Sequence, residues 1–234
     1  MCERFYDESN KYELCIDEAG RGCLFGRVYI GCVVLPKHPA SFDGTNIKDS
    51  KKFSSKKKLN EVSEYIKEKA FVWHVEFIDA QEIDKINILQ SVMKGMHKCI
   101  KNVIKKTKEL DNTACFSDFT AVIDGNYFNP YTEFDSDKDV INTLKHVTVK
   151  QGDAKYMGIA SASILAKTSR DAYILEMCDK YPKLDEYYSF KSNVGYGTKK
   201  HIEGIHTHGI TKWHRKTFGD ICRNANIIEI PETI

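Results

Sequence analysis

Apolar and polar positions change period along the chain, from two to about 3.6 and back, and these changes divide it into elements. Leu14 and Ile16 alternate with Glu13, Cys15 and Asp17, which predicts a strand over residues 12–18 with Asp17 at its C-terminal end. Residues 28–35 are almost wholly apolar and stop at Pro36, so they predict a second strand, and the short link between the two predicts a hairpin. After a loop over 37–53, Leu59, Val62 and Ile66 share one face of a helix over 54–69, and a strand follows over 70–78. Asp79 and Glu82 have capping-box spacing and start a short helix. From 87 to 106, Leu89, Val92, Met93, Met96, Ile100 and Val103 trace one apolar stripe, read as core. A polar connector over 107–118 leads to a strand over 119–123, which delivers a second strand-end acid at Asp124-Gly125.

The reading continues with a loop over 126–142, a strand over 144–149 and a helix over 154–178 with Asp153 as its N-cap. Gly158 and the small residues 160–163 permit close packing of that helix on a sheet. Ile164 and Asp171 are seven apart and share a face; an acid on the inner side needs a partner, and a metal is one candidate. Beyond 181 the pattern is shorter and more polar, with a helix over 198–208 closed by Gly209 and a short one over 211–217. Strands, helix, strand, helix, two strands and helix in this order describe an α/β chain, a mixed sheet with helices on both faces.

Composition narrows the class. The 234 residues, 41% hydrophobic and 29% charged, are those of a globular protein with one core and room for a small appendage. No run is long enough to span a membrane as a helix, and residues 1–13 are polar and acidic without a signal-peptide core, so an intracellular, cytoplasmic protein with no membrane partner is expected. Net charge is only +2, yet lysines crowd 48–58 and basic residues crowd 191–216. Such runs are commonly solvated faces; flanking an acidic site they would form a groove that tracks phosphates. The eight cysteines hold no C-x-x-C pair and read as reduced, mostly buried thiols. His201, His206, His208 and His214 lack any zinc-site spacing.

The most informative stretch is the acid pair Asp17-Glu18 followed by Ala19-Gly20-Arg21-Gly22. A bare strand-end acid pair is commonly only solvated. Here two glycines let the backbone approach a ligand, and Arg21 between them carries a fork of donors suited to phosphate. The stretch resembles the signature of the type 2 ribonucleases H, the ribonuclease HII family. Further blocks of the same resemblance follow in order: Asp49-Ser50-Lys51-Lys52, Ile83-Asp84, residues 87–90, Ile123-Asp124-Gly125, residues 152–155, residues 160–167 with Arg170-Asp171, residues 195–198, and residues 214–218.

The resemblance implies a ribonuclease H-like fold, a five-stranded mixed sheet flanked by helices over 12–180, then a small helical C-terminal region over 181–220, with tails over 1–11 and 221–234. It implies an endoribonuclease that cuts the RNA strand of RNA–DNA hybrids, and single ribonucleotides embedded in duplex DNA, by a two-metal-ion mechanism leaving a 3′-hydroxyl and a 5′-phosphate. Asp17, Glu18, Asp124 and Asp171 would then be the catalytic, metal-binding carboxylates for Mg²⁺ or Mn²⁺. Gly20, Arg21 and Gly22 would read the 2′-hydroxyl, Tyr196 would stack on a sugar with its ring standing free between open glycines, and Lys51 and Lys52 would contact phosphates, with Asp49 a turn acid. Cys23 and Arg27 stand where members usually carry proline, which predicts a looser turn and an extra cation near the site. A DNA-junction nuclease of the same fold and a non-catalytic hybrid-binding module are the alternatives; clustered carboxylates without a metal repel, which disfavours the second.

Overall fold

The computed structural model describes residues 2–232, so the tails expected at 1–11 and 221–234 fall partly outside it, at Met1, Thr233 and Ile234. Its five-stranded sheet has the order β3-β2-β1-β4-β7, with β1 at Tyr12–Ala19, β2 at Val28–Val34, β3 at Val72–Ile78, β4 at Phe119–Asp124 and β7 at Lys145–Val149. The first three strands and the fourth end within a residue or two of the expected positions. β4 runs parallel to both β1 and β7. The chain is an α/β protein with a mixed sheet flanked by helices, as the pattern and the resemblance both imply.

The described chain gathers into two compact units, each built from separate stretches. The first comprises the chain up to Ala19, Ile30–Glu76 and Met93–Thr168. Helix α1 (Lys56–Lys69), capped by the Ser55 hydroxyl accepting from Lys58 N–H, lays Leu59, Val62 and Ile66 against Val33, Phe42 and Ile164. α4 (Met157–Lys180) begins in this unit and is buried on all sides over Ile159–Ala166. Its close packing is visible at Gly31, where an added Cβ would stand 2.3 Å from the Ala162 carbonyl oxygen.

β1 is buried on both faces rather than half-exposed. Glu13, 3% exposed, survives there because Tyr6 N–H, Asp7 N–H and the Asn10 side chain donate to its carboxylate. Residues 6, 7 and 10 are thereby tied to β1. Glu3 lies against Tyr156 as a short bridge, giving its N–H to Lys155 and accepting from Met157. That bridge also explains why the helix expected at 154–178 is two, α3 at Gly152–Lys155 and α4, parted by an extended Tyr156. Asp153 sits inside α3, whose N-cap is Gln151 in the left-handed region. The expected loop over 126–142 contains a hairpin, β5 (Thr132–Asp135) with β6 (Val140–Thr143).

The second unit comprises Gly20–Tyr29, Phe77–Val92 and the chain from Ser169 onward. Its core gathers Phe25, Ile174, Tyr188, Phe190, Ile205 and Ile210 with their neighbours. α2 (Ala80–Leu110) is continuous in hydrogen bonding but broken at Asn87 (φ 64°), whose side chain accepts from Gln90 N–H, so a second helix does start there. α5 (Lys183–Tyr188), α6 (Phe190–Asn193) and α7 (Lys199–His208) follow. α7 has Thr198 and Gly209 as its caps, as expected. Residues 211–217 are turns rather than a helix, and α8 is Gly219–Arg223. Among the described residues no helix is long and apolar enough to cross a membrane, and all eight cysteines are free thiols, six of them buried.

Candidate active site

In the first unit, parallel pairing aligns Ile16 with Ile123, and one step further along the same register Asp17 and Asp124 stand at adjacent strand ends. Asp17 is 6% exposed. Burial holds its carboxyl well above the ordinary carboxylate range, and the charges of Glu18 and Asp124 push it the same way. The Ser163 hydroxyl and the Glu18 N–H, 2.7 Å away, donate to it and oppose that rise. Ser163 also lies 3.3 Å from Ser50, which ties the Asp49–Lys52 turn to the same place. Asp49 is a turn acid, accepting from Lys51 N–H.

Asp124 is likewise raised, first by burial, with Asp153 adding repulsion and Lys51 opposing it. It accepts from Gly152 N–H at 2.6 Å and from Asp153 N–H. Gly152 is needed for that approach: a Cβ there would meet the Ile159 methyl at 2.5 Å and the Asp124 carboxylate at 3.2 Å. Lys51 is exposed and its ammonium lies 4.0 Å from Asp153; Lys52 beside it is exposed too. Asp153, read from sequence as a simple cap, thus belongs to the charged surroundings of Asp124.

In the second unit, Gly20 takes φ +89°, a conformation that glycine alone adopts without strain, and its carbonyl accepts from Cys23 N–H to close the turn around Arg21. The turn is not loosened by the cysteine, since proline would have no N–H to give. Leu24 and Phe25 then donate to the Gly195 carbonyl. Gly195 (φ +86°) would place a Cβ 2.9 Å from the Phe25 carbonyl oxygen, so this glycine serves a close backbone approach. Tyr196 is 42% exposed, with the Arg170 guanidinium 5.0 Å from its ring centroid; the ring is open on part of its surface and not standing free.

Arg170 stands in the sequence only as part of the Arg170-Asp171 block, with no role of its own. It is buried, donates through Nε (2.8 Å) and Nη2 to Asp171, and reaches the Cys23 sulfur at 3.4 Å. Burial works against its charge, but Asp171 foremost keeps it protonated above the usual range. Asp171 therefore already has a cationic partner beside it in sequence. An arginine next to an acid on a helix expected to be buried was the available signal. Arg27 is no loose cation either: its guanidinium lies 3.8 Å from the Phe77 ring centroid and 4.5 Å from that of Tyr173, and bonds Asp79 at 2.7 Å. Asp84 accepts from Lys216 N–H and from the Thr217 N–H and hydroxyl, a structural role for its motif.

Among the described residues no three His, Cys, Asp or Glu side chains are gathered as they would be around one ion. Three of the four acids are satisfied by donors of their own: Asp17 by Ser163 and Glu18 N–H, Asp124 by Gly152 and Asp153, Asp171 by Arg170. The donor set still suits a hard divalent cation. Two carboxylates at neighbouring strand ends, both held above their usual range by burial and by like charge, are relieved when a cation joins them.

Comparison with known proteins agrees with the sequence resemblance. The family model described as Ribonuclease HII matches residues 14–221. A Ribonuclease HII of Parabacteroides distasonis is 41% identical over 213 residues, which covers 91% of this chain and 92% of that one. The solved ribonuclease H2 of Pyrococcus horikoshii superposes with a TM-score of 0.64 at 19% identity, covering 91% of this chain and 96% of that one. A Bst ribonuclease HIII solved in complex with Mn²⁺ gives a TM-score of 0.55 at 16% identity, over 94% of this chain and 67% of that one.

Proposed function

The chain belongs to the ribonuclease HII family, and from that premise we propose how its residues carry out the cutting of RNA in RNA–DNA hybrids. The observation that carries the reading is the parallel register that sets Asp17 beside Asp124 at the strand ends. Asp17, Glu18 and Asp124, together with Asp171, would hold Mg²⁺ or Mn²⁺. When bound, a pair of such ions would supply an activated water and relief of charge on the leaving oxygen. The protein's own part is to keep the carboxylates ionised and aimed. Ser163 and the backbone N–H groups of Glu18, Gly152 and Asp153 do this by donating to the ionised forms.

Both strands carry the same phosphates, so charge alone does not tell RNA from DNA; the 2′-hydroxyl does. Gly20, Arg21 and Gly22 read it, and Gly22 leaves room for a sugar because nothing lies within 4 Å of where its Cβ would be. Tyr196 stacks on the neighbouring sugar, and Lys51 and Lys52 hold phosphates. A reader of one hydroxyl needs only one, so a single ribonucleotide embedded in duplex DNA is a substrate, and the products carry a 3′-hydroxyl and a 5′-phosphate.

The test is to incubate the protein with a uniform RNA–DNA hybrid, an all-DNA duplex and an all-DNA four-way junction, each with Mg²⁺, with Mn²⁺ or with EDTA. Cutting of the hybrid alone, and only with a metal, is expected. Cutting of the junction points to the junction nuclease, and binding of the hybrid without cleavage points to the non-catalytic module.

A further inference from the structure

The chemistry above makes no use of His201, His214 or Arg215, all buried in the second unit. Their contacts form one continuous chain. His201 Nδ1 lies 2.9 Å from the Tyr196 carbonyl oxygen, and its Nε2 lies 3.1 Å from His214 Nε2. His214 Nδ1 lies 3.0 Å from both Thr211 N and the Thr211 hydroxyl.

The ends of this chain fix every hydrogen in it. A carbonyl only accepts, so His201 carries its hydrogen on Nδ1. A neutral imidazole then has a bare Nε2, which must accept, so His214 donates through Nε2. That leaves His214 Nδ1 as the acceptor which the Thr211 N–H requires. Adding a proton to either ring would set two N–H groups against each other. Burial keeps both rings neutral, holding His201 down to about 4 and His214 well below the ordinary histidine range.

The next residue reaches the other loop. Arg215 gives Nε to the Gly26 carbonyl (3.0 Å) and Nη1 to the Arg21 carbonyl (2.9 Å), spanning the turn with one rigid fork, while its backbone N–H goes to Leu24. Its guanidinium lies 4.9 Å from the Phe218 ring centroid. Asp84 holds residues 216 and 217 from below.

We propose that His214 and Arg215, the first acting through His201, are positioning residues that fix Tyr196 and the Arg21 turn in one register for reading a ribonucleotide. The proposal rests on the reading that those two loops contact the substrate. Backbone carbonyls are what the chain grips, so the positions of Tyr196 and Arg21 are set without engaging their side chains. Most affinity comes from phosphate contacts elsewhere, so loosening this register lowers turnover far more than binding.

The experiment uses the full chain and compares His201→Asn, His201→Leu and Arg215→Lys with the native protein. Asparagine can still donate to the Tyr196 carbonyl from near the Nδ1 position; leucine keeps volume but leaves that carbonyl only its bond from Thr198 N–H and leaves His214 Nε2 unpaired. Lysine keeps the charge of Arg215 but cannot hold two carbonyls in one plane. We expect kcat on a duplex with one ribonucleotide to fall about 10–100-fold for His201→Leu and Arg215→Lys, with KM within about threefold, and His201→Asn to recover most of the loss. Amide hydrogen exchange should speed up at residues 195–198 in His201→Leu and at 21–26 in Arg215→Lys, while β1 is unchanged. Equal impairment of the Asn and Leu variants, a folded His201→Leu with native turnover, or unaltered exchange in Arg215→Lys would overturn the proposal. If the leucine variant does not fold, Arg215→Lys against His201→Asn decides by the same readouts. A native protein that spares the single ribonucleotide sinks the loop reading instead, and the exchange data then judge the positioning claim alone.

Discussion

The strand-end carboxylates of the first unit and the two loops of the second are built on opposite electrostatic terms. Asp17 and Asp124 are buried beside like charge, and both carboxyls are pushed above their usual range. The Arg21 turn and the Tyr196 loop are held by a nearly complete set of hydrogen bonds, in which only Nη2 of Arg215 has no partner. The first arrangement is unfavourable until a cation joins it; the second is at rest. Removing charge in the first should therefore abolish chemistry and relieve the fold, while removing a bond in the second should impair both.

The largest effect follows from that contrast. Asp124→Asn or Asp17→Asn should lower turnover at least about 10²–10³-fold, while the melting temperature in EDTA stays level or rises. A rate near native for Asp124→Asn would remove the carboxylate reading, and a fall in melting temperature for Asp17→Asn would remove the contrast.

Acid dependence separates the two regions by sign. His201 has its folded pKa lowered to about 4, so its contribution is present above the ordinary histidine value and is lost as pH falls toward 4. Between those limits it amounts to on the order of 3 kcal/mol. Asp17 has its folded pKa raised, so its contribution is present below the ordinary carboxylate value and is lost as pH rises. Melting curves in EDTA should show His201→Asn flattening a slope that rises with pH and Asp17→Asn flattening one that falls.

The two units were unequally legible. β1 and β4 announce themselves by apolar runs that end in an acid, and parallel pairing does the rest, so Asp17 and Asp124 could be read locally. The Gly209 end of α7 was legible too, because a glycine closes a helix locally. The hairpin β5–β6 was not, because Phe134 and Ile141 are exposed and a two-stranded ribbon imposes no inward face. Nor were Ser163 and Arg215, whose roles lie in bonds to residues more than a hundred positions away. Residues 211–217 looked helical by composition, yet Thr211 is committed to His214 and Arg215 to the Arg21 turn.

Smaller effects probe the loops one group at a time. Tyr196→Ala should lower turnover about tenfold with duplex affinity little changed, and Tyr196→Phe should stay near native. Equal damage in the two would assign the role to the hydroxyl, which lies by Cys23, rather than to stacking. Gly22→Ala should reduce cutting about fivefold without a change in melting temperature, since only a ligand would meet the new methyl. Gly20→Ala, at φ +89° and with its Cβ 3.1 Å from the Arg27 carbonyl oxygen, should lower the melting temperature as well.

The central claim is that one 2′-hydroxyl, read by the loops, selects the bond that the carboxylates cut. A 5′-labelled DNA duplex with a single embedded ribonucleotide, incubated with Mg²⁺ and mapped on a sequencing gel beside its all-DNA counterpart, tests it directly. One cut on the 5′ side of the ribonucleotide, a labelled product ending in a 3′-hydroxyl, and an intact all-DNA duplex are expected. A requirement for several consecutive ribonucleotides, or equal cutting of the all-DNA duplex, would contradict it.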